Sequence, residues 1–161
     1  MDREALYALL RAREISFEEV AHPAVWNMEE LHALRLPGEE RILKNLFLRD
    51  DKKQRYYLVS LDGGRTADLK ALRQALDSRP LSFAGTADLS RLLGLRPGQV
   101  TPLGALRAPA GTVTVVLDAS LRGRTVGVHP LENTATIFLD LDDLAALLED
   151  QGVPVVWCPL S

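Results

Sequence analysis

The sequence predicts an α+β domain or a mixed α/β sandwich and disfavours a doubly wound parallel fold. Strand-forming runs at 45–50 and 56–61 flank a charged tip, which is the pattern of an antiparallel hairpin. Leucines spaced along one face of residues 2–14 predict an amphipathic helix. The other helical and extended segments alternate without a repeated unit. With 161 residues, of which 47% are hydrophobic, the chain is expected to form a single domain over residues 1–161.

The segments near the N-terminus predict an extended stretch and then a second, shorter helix. Residues 17–25 favour an extended conformation that ends at the His22-Pro23 pair, because a proline disfavours the helical region for the residue before it. Asn27 is a suitable N-cap for a helix over residues 28–35, and glutamates follow it in the first turn, where the helix dipole favours acidic groups. The Pro37-Gly38 pair is expected to stop that helix.

Two helices in the middle of the chain are predicted to begin at threonine N-caps. Residues 66–76 and 86–95 both open with Thr-Ala-Asp-Leu, and we interpret the likeness as shared capping without internal duplication. The short apolar run at 81–85 is expected to be a buried strand. Residues 96–106, rich in proline and glycine, are expected to form a turn that leads into another extended stretch.

The C-terminal part is predicted to be strand-rich with one helix. Residues 140–150 begin with acidic side chains and carry apolar residues at helical spacing, which predicts the helix, and Gly152 is expected to end it. A Gly-x-His-Pro elbow stands just before one of the strands. The predicted strands are 112–121, 124–128, 133–139 and 153–158.

Composition narrows the possible functions. The N-terminus is charged from its second residue and lacks the apolar core of a secretory signal, and no run approaches the roughly 18 apolar residues of a membrane span, so we expect a soluble, cytoplasmic protein. A single cysteine, Cys158, excludes an internal disulfide and is expected to be a buried structural thiol. Three scattered histidines and one cysteine give no zinc-binding spacing, so no metal is predicted.

Charge is segregated along the chain, although the net charge is only −3. Residues 1–40 hold four basic and nine acidic side chains, and residues 129–161 hold six acidic side chains and neither Lys nor Arg. Between them, residues 41–55 contain six basic and two acidic side chains. Such a cluster is suited to nucleic-acid phosphates, and a solvated hairpin tip is the alternative interpretation.

Few residues offer chemistry. The common signatures of nucleophilic, nucleotide-binding and metal-dependent enzymes are missing from the sequence. The acidic pair Asp142-Asp143 begins a helix, where compensation of the helix dipole explains it about as well as catalysis would. What remains is Lys44-Asn45 at the head of a strand, His129 in the elbow, and the polar residues that follow it, Asn133, Thr134 and Thr136.

Three stretches, 43–61, 81–106 and 126–149, carry a family resemblance. Lys-Asn-Leu-Phe-Leu-Arg-Asp begins at Lys44, and Gly-x-His-Pro-x-x-Asn-Thr-Ala-Thr follows about eighty residues later from Gly127. In this order they resemble the free-standing aminoacyl-tRNA editing domains of the YbaK/ProX superfamily, and most of all its ProXp-ala/PrdX branch. The resemblance implies a mixed, largely antiparallel β-sheet wrapped by helices, like the editing insertion of bacterial prolyl-tRNA synthetases.

The same resemblance implies trans-editing, the hydrolysis of alanine attached in error to proline tRNA. Alanine is smaller than proline, so a synthetase cannot exclude it sterically, and each missing methylene contributes only about 1 to 3 kcal/mol of discrimination. An ester is already activated, so water, a polarised carbonyl and good positioning suffice without metal, cofactor or protein nucleophile. The expected partners are tRNA, contacted through Arg41, Lys52, Lys53 and Arg55, and in addition prolyl-tRNA synthetase.

The resemblance also assigns roles to the candidate catalytic residues. The Lys44 ammonium would hold the terminal phosphate or the ester carbonyl. Asn45 would hydrogen-bond the amino acid or ribose, although strand alternation points these neighbours to opposite faces unless the backbone bends. Gly127 would allow close backbone approach, and amides around Val128 and His129 would donate to the developing oxyanion.

The remaining candidates would shape the substrate pocket. His129 is expected either to orient the adenosine or to brace the turn. Ala135 would leave room for the substrate methyl on the strand face that it shares with Asn133, with efficient packing as the alternative. His22, just before the helix that bears Met28, resembles a pocket-edge segment of the family, with turn formation as the alternative.

The sequence is also compatible with two other functions. One is the same hydrolysis on another misacylated tRNA, either cysteinyl-tRNA(Pro) or a seryl or threonyl species. The other is a non-catalytic module that binds tRNA or a synthetase through its basic middle. Lys44 together with the His-Pro elbow favours an enzyme, because binding alone requires neither.

Overall fold

The structure, a computed structural model, describes residues 1–160. Helices and strands interleave, as the sequence predicts. The helices are α1 (Arg3–Ala12), α2 (Met28–Ala33), α3 (Leu69–Leu76), α4 (Thr86–Leu93) and α5 (Leu141–Asp150). The strands are β1 (Phe17–Ala21), β2 (Leu43–Asp50), β3 (Tyr56–Asp62), β4 (Leu81–Phe83), β5 (Val113–Asp118), β6 (Thr125–Val128), β7 (Ala135–Asp140) and β8 (Val155–Cys158).

The strands of residues 1–160 divide between two sheets. The smaller sheet has the order β1-β7-β6 and is antiparallel throughout. The larger has the order β4-β2-β3-β5-β8, with the predicted hairpin of β2 and β3 at its centre. Only the β3–β5 and β5–β8 pairs are parallel. The predicted α+β class with a mixed, largely antiparallel arrangement is confirmed.

Burial explains how the layers hold together. The main apolar core lies between the two sheets and takes leucines from α1, α4 and α5. The opposite face of the larger sheet is covered by α3 and includes Cys158, which is buried as predicted. Burial raises the pKa of that thiol, so it remains protonated and unreactive at neutral pH. Among the helices of residues 1–160, none is long and apolar enough to cross a bilayer.

A third cluster joins the N-terminal segment to the smaller sheet. Val25 and Leu31 pack there with Ile42 and Phe138. The predicted N-cap at Asn27 is confirmed, because its side chain accepts a hydrogen bond from the Glu30 amide at 2.8 Å. Helix α2 is thereby packed against Phe138 of the smaller sheet and Ile42, just before β2.

Both threonine N-caps were wrong. Asp68 caps α3, and its carboxylate accepts from the amides of Lys70 and Ala71, so the helix begins three residues after Thr66. Helix α4 begins at Thr86 itself, with Gly85 at the cap position and no side-chain cap. In the first case a carboxylate nearer the helix replaces the hydroxyl, because it reaches two amides at once.

Two other segments differ from the prediction. Strand β4 is an edge strand that pairs only with β2, and Phe83 is 59% exposed, so it is not buried. The stretch expected to be extended after the turn instead forms a buried 3₁₀ helix at Pro102–Arg107, begun by Thr101, whose hydroxyl accepts from the Leu103 amide. A proline in the first turn suits a helix start because its missing N–H would have no partner there.

Candidate active site

A cavity of about 210 Å³ lies where the first half of β2 faces the end of β6. Helix α2 and the loop around Gly98 close its other sides. Five of the residues predicted from the sequence line it, although they come from three distant parts of the chain: Met28, Lys44, Asn45, Val128 and His129.

Lys44 and Asn45 both line this cavity, although neighbours in a strand point to opposite faces. The reason is the position of the cavity at an open strand edge. Strand β4 pairs only with Leu48 through Asp50 of β2, so the first half of β2 has no strand neighbour on that side. A cavity at an edge is accessible from both faces of the strand. The open edge therefore explains how Lys44 and Asn45 can both line the cavity despite strand alternation.

The Lys44 side chain is half-buried. Among residues 1–160 no carboxylate lies within 4.0 Å of its ammonium; the ion pairs of that part of the chain involve Arg and His side chains. A lysine that is partly withdrawn from water and lacks an ionic partner is suited to an anionic ligand or a polarised carbonyl.

Asn45 is oriented by a residue that the sequence did not indicate. The hydroxyl of Ser60, fully buried on β3 directly opposite, donates to Asn45 Oδ1 at 2.6 Å. The amide nitrogen of Asn45 makes only a long contact of 3.4 Å with the Leu43 carbonyl. Ser60 thus fixes the oxygen, and the NH₂ group, with only one long contact, remains available as a donor.

His129 has a defined protonation state. Its Nδ1 lies 3.0 Å from the Ala135 carbonyl, which can only accept, so Nδ1 carries the proton. Burial lowers the pKa of His129, the nearby His22 lowers it further, and the bond to Ala135 opposes both. The imidazole is therefore neutral at neutral pH, and its Nε2 is an acceptor. The hydroxyl of Thr101 holds the backbone by donating to the His129 carbonyl at 2.7 Å.

Three other predicted substrate contacts, His22, Asn133 and Ala135, do not line the cavity. The ring of His22 is satisfied within the protein: Nδ1 donates to the Pro23 carbonyl and Nε2 accepts from the Thr136 hydroxyl, both at 2.9 Å. The buried Asn133 donates to the Val25 carbonyl at 2.7 Å, and β7 begins only after it. These residues brace the segments that carry His129 and α2.

Gly127 has a packing role, and its predicted approach to ligand stays a prediction. It lies within β6, forms a parallel bridge to Ile42, and does not line the cavity. A Cβ atom at this position would stand 2.8 Å from the Phe138 ring and 2.9 Å from Ile42 Cγ1. Only glycine lets the smaller sheet approach the start of β2 this closely, and that approach brings His129 opposite Lys44.

The predicted tRNA-binding residues do not form one face. Arg41 precedes β2 at the cavity end, whereas Lys52, Lys53 and Arg55 are exposed at the turn between β2 and β3. Asp50 lies six positions after Lys44 along an extended strand, which is a distance of about 20 Å. The hairpin tip is therefore distant from the cavity and can reach only a part of a ligand that extends well beyond it.

Comparison with known proteins defines the class. The model of the aminoacyl-tRNA editing domain family matches residues 22–147, so the chain belongs to that family, and the resemblance found in the sequence is confirmed.

The particular relatives cover nearly the whole chain. The prolyl-tRNA editing protein ProX of Acetoanaerobium sticklandii is 37% identical over 151 residues, which is 93% of this chain and 92% of that protein. The prolyl-tRNA synthetase associated domain-containing protein 1 of Bos taurus is 38% identical over 157 residues, covering 93% and 90%.

Two solved structures share the fold. One is described as a candidate trans-editing enzyme for prolyl tRNA synthetase; it has a TM-score of 0.70 and 22% identity, covering 97% of this chain and 95% of that one. The hypothetical protein APE2540 has a TM-score of 0.74 and 21% identity, covering 95% and 97%. At these identities the likeness concerns the fold alone.

Proposed function

We propose that this protein hydrolyses the ester of alanine mischarged onto proline tRNA, and that the cavity beside Lys44 holds the alanyl group. Membership of the editing family supports ester hydrolysis on an aminoacyl-tRNA, and the prolyl-tRNA names of the relatives support the choice of tRNA. Association with prolyl-tRNA synthetase stays a prediction.

The resemblance of the motifs at Lys44 and Gly127 to the ProXp-ala/PrdX branch is the observation that carries the choice of alanine, and the modest size of the cavity suits a small acyl group. At about 210 Å³ it is smaller than the roughly 300–1,000 Å³ typical of pockets for larger ligands. Apolar side chains of Met28, Val100 and Val128 line it beside the polar groups. A space of this volume holds an alanyl group and is also large enough for a prolyl ring, so in this proposal the second sieve depends on where Met28, Val100 and Val128 stand around the acyl group and not on the total volume.

The residues that line the cavity have the groups that this hydrolysis requires. Water attacks the ester carbonyl carbon, and the neutral Nε2 of His129 accepts a proton from that water. The Lys44 ammonium stabilises the negative charge that develops on the carbonyl oxygen, and the Asn45 amide hydrogen-bonds the substrate. The bond to the ribose oxygen then breaks, the proton passes to that oxygen, and free alanine and a tRNA hydroxyl result.

Single-turnover deacylation at saturating protein tests the proposal. Ala-tRNA(Pro) should be hydrolysed much faster than Pro-tRNA(Pro), and EDTA should leave the rate unchanged. Cys-tRNA(Pro) and Ser-tRNA(Pro) measured in parallel separate the alanine assignment from the alternative substrates. Equal rates on Ala- and Pro-tRNA(Pro), or faster hydrolysis of the cysteinyl or seryl ester, would contradict the small-pocket assignment. Binding without any hydrolysis would indicate a non-catalytic module.

A further inference from the structure

Trp26 lines the cavity, yet 45% of its surface is exposed. It stands just before the N-cap of α2, a position from which an apolar side chain commonly packs onto the helix at Leu31. Leu31 is buried, but the tryptophan remains half in solvent. A single exposed apolar side chain is ordinary, so its location and support decide whether it has a role.

The backbone of Trp26 is fixed from three directions. Its amide donates to Glu30 Oε2 at 2.8 Å. The preceding carbonyl, of Val25, accepts from the buried Asn133. The backbone of Gly98 approaches so closely that a Cβ atom there would lie 2.6 Å from Trp26 Cα. A large aromatic ring is thus presented on a rigid support at the mouth of the cavity.

We propose that Trp26 is the stacking platform for the terminal base of the tRNA acceptor end. This inference rests on the proposed function: the ester bond and the terminal base share one ribose, so an acyl group inside the cavity brings the base to its mouth. Indole stacking suits a base without requiring hydrogen-bond readout, and one such contact changes affinity by about tenfold. Because stacking anchors the nucleotide outside the cavity, it contributes to binding and not to the chemical step.

The test compares two RNA hairpins that carry the tRNA(Pro) acceptor stem, one ending in unacylated CCA and one with an abasic terminal ribose. By fluorescence anisotropy of a 5′-labelled hairpin, Trp26→Ala should weaken binding of the CCA hairpin about tenfold, which is ~1.4 kcal/mol. Binding of the abasic hairpin should not change. Trp26→Phe should retain most of the affinity. Phe83→Ala is the matched control, because it removes another exposed aromatic, on β4, and should leave both affinities unchanged.

Intrinsic fluorescence gives a second readout. The chain has two tryptophans, and the Arg122 guanidinium already covers the Trp157 ring at 4.1 Å. In a Trp157→Phe variant, emission from Trp26 should be quenched by the CCA hairpin and not by the abasic hairpin. Equal reductions in affinity for both hairpins after Trp26→Ala, or no reduction for either, would overturn the stacking role.

The outcome is separable from that of the proposed function, because both hairpins lack an amino acid. If the wild-type protein fails to hydrolyse Ala-tRNA(Pro) but the CCA hairpin alone responds to Trp26→Ala, the stacking role holds and the proposed substrate is wrong. If hydrolysis proceeds and the two hairpins respond alike, the stacking role is wrong and the proposed function holds.

Discussion

Replacing Lys44 with alanine should slow deacylation and leave the stability of the fold unchanged. The ammonium has no carboxylate within 4.0 Å among residues 1–160, so its removal leaves no buried ion unpaired there. A hydrogen bond between an ionised donor and its acceptor contributes about 1.5–3 kcal/mol. If that bond strengthens in the transition state, its removal lowers the single-turnover rate by roughly tenfold to a hundredfold.

The adjacent residue provides a sharp contrast. Asn45→Ala should reduce stability, because the fully buried hydroxyl of Ser60 is then left without its acceptor. An unsatisfied buried donor costs about 1–3 kcal/mol of unfolding free energy. Two neighbouring substitutions in one strand are therefore expected to act on different quantities, Lys44→Ala on the rate alone and Asn45→Ala on the stability as well.

Urea denaturation and single-turnover deacylation of Ala-tRNA(Pro), measured on the same preparations, distinguish these effects. Lys70→Ala is the matched control, since it removes an exposed lysine on α3, which lies against the face of the larger sheet away from the main core. Lys44→Arg should recover little of the rate lost in Lys44→Ala, because the planar guanidinium of arginine is larger and differently shaped than the compact ammonium of lysine. A wild-type rate for Lys44→Ala, or a lower midpoint of unfolding with no change in rate, would refute the assigned role.

Three further outcomes are expected. The pKa of His129 lies below its ordinary value of about 6.5, so the rate should be constant above that pH and fall as the pH drops through the lowered pKa. His129→Gln should abolish this pH dependence of the rate. The stability of the fold should also decline below about pH 6.5, because the unfolded chain takes up the proton at a higher pH than the folded chain does. Gly127→Ala should lower the unfolding free energy, measured by urea denaturation, by about 1–3 kcal/mol, because the added Cβ overlaps Phe138. Loss of activity with unchanged stability would instead support the predicted role of Gly127 in ligand approach. Neutralising Lys52 and Lys53 should reduce the salt dependence of tRNA binding by roughly 0.7–0.9 in slope for each phosphate that is no longer neutralised, and an unchanged slope would move the tRNA-binding surface elsewhere.

Most of the helices and strands could be predicted from the sequence, because their signals are local. Leucine spacing identified α1, the charged tip between two apolar runs identified the β2–β3 hairpin, and Asn27 identified the start of α2. The failures occurred where a nearby group or a partner decided the outcome. Asp68, and not Thr66, caps α3. Strand β4 is exposed because it pairs with β2 alone and has no strand on its other side.

For the candidate site, the sequence by itself determined which chemical groups are available. Lys44, Asn45 and His129 were identified from motif strings because these residue types match a known editing pattern. Tertiary structure decided how they are used. Pairing between β2 and β3 placed Ser60 against Asn45, and a short pattern cannot reveal a partner fifteen residues away.

The same distinction explains Gly127 and the cavity. A glycine in an elbow is consistent with either ligand approach or close packing, and only the proximity of Ile42 and Phe138 shows the packing role. Local sequence specifies backbone preference and side-chain chemistry, because these depend on a few neighbouring residues. The open edge of β2, the cavity beside it and the neutral state of His129 depend on contacts between residues far apart in the chain, so only the folded structure could establish them.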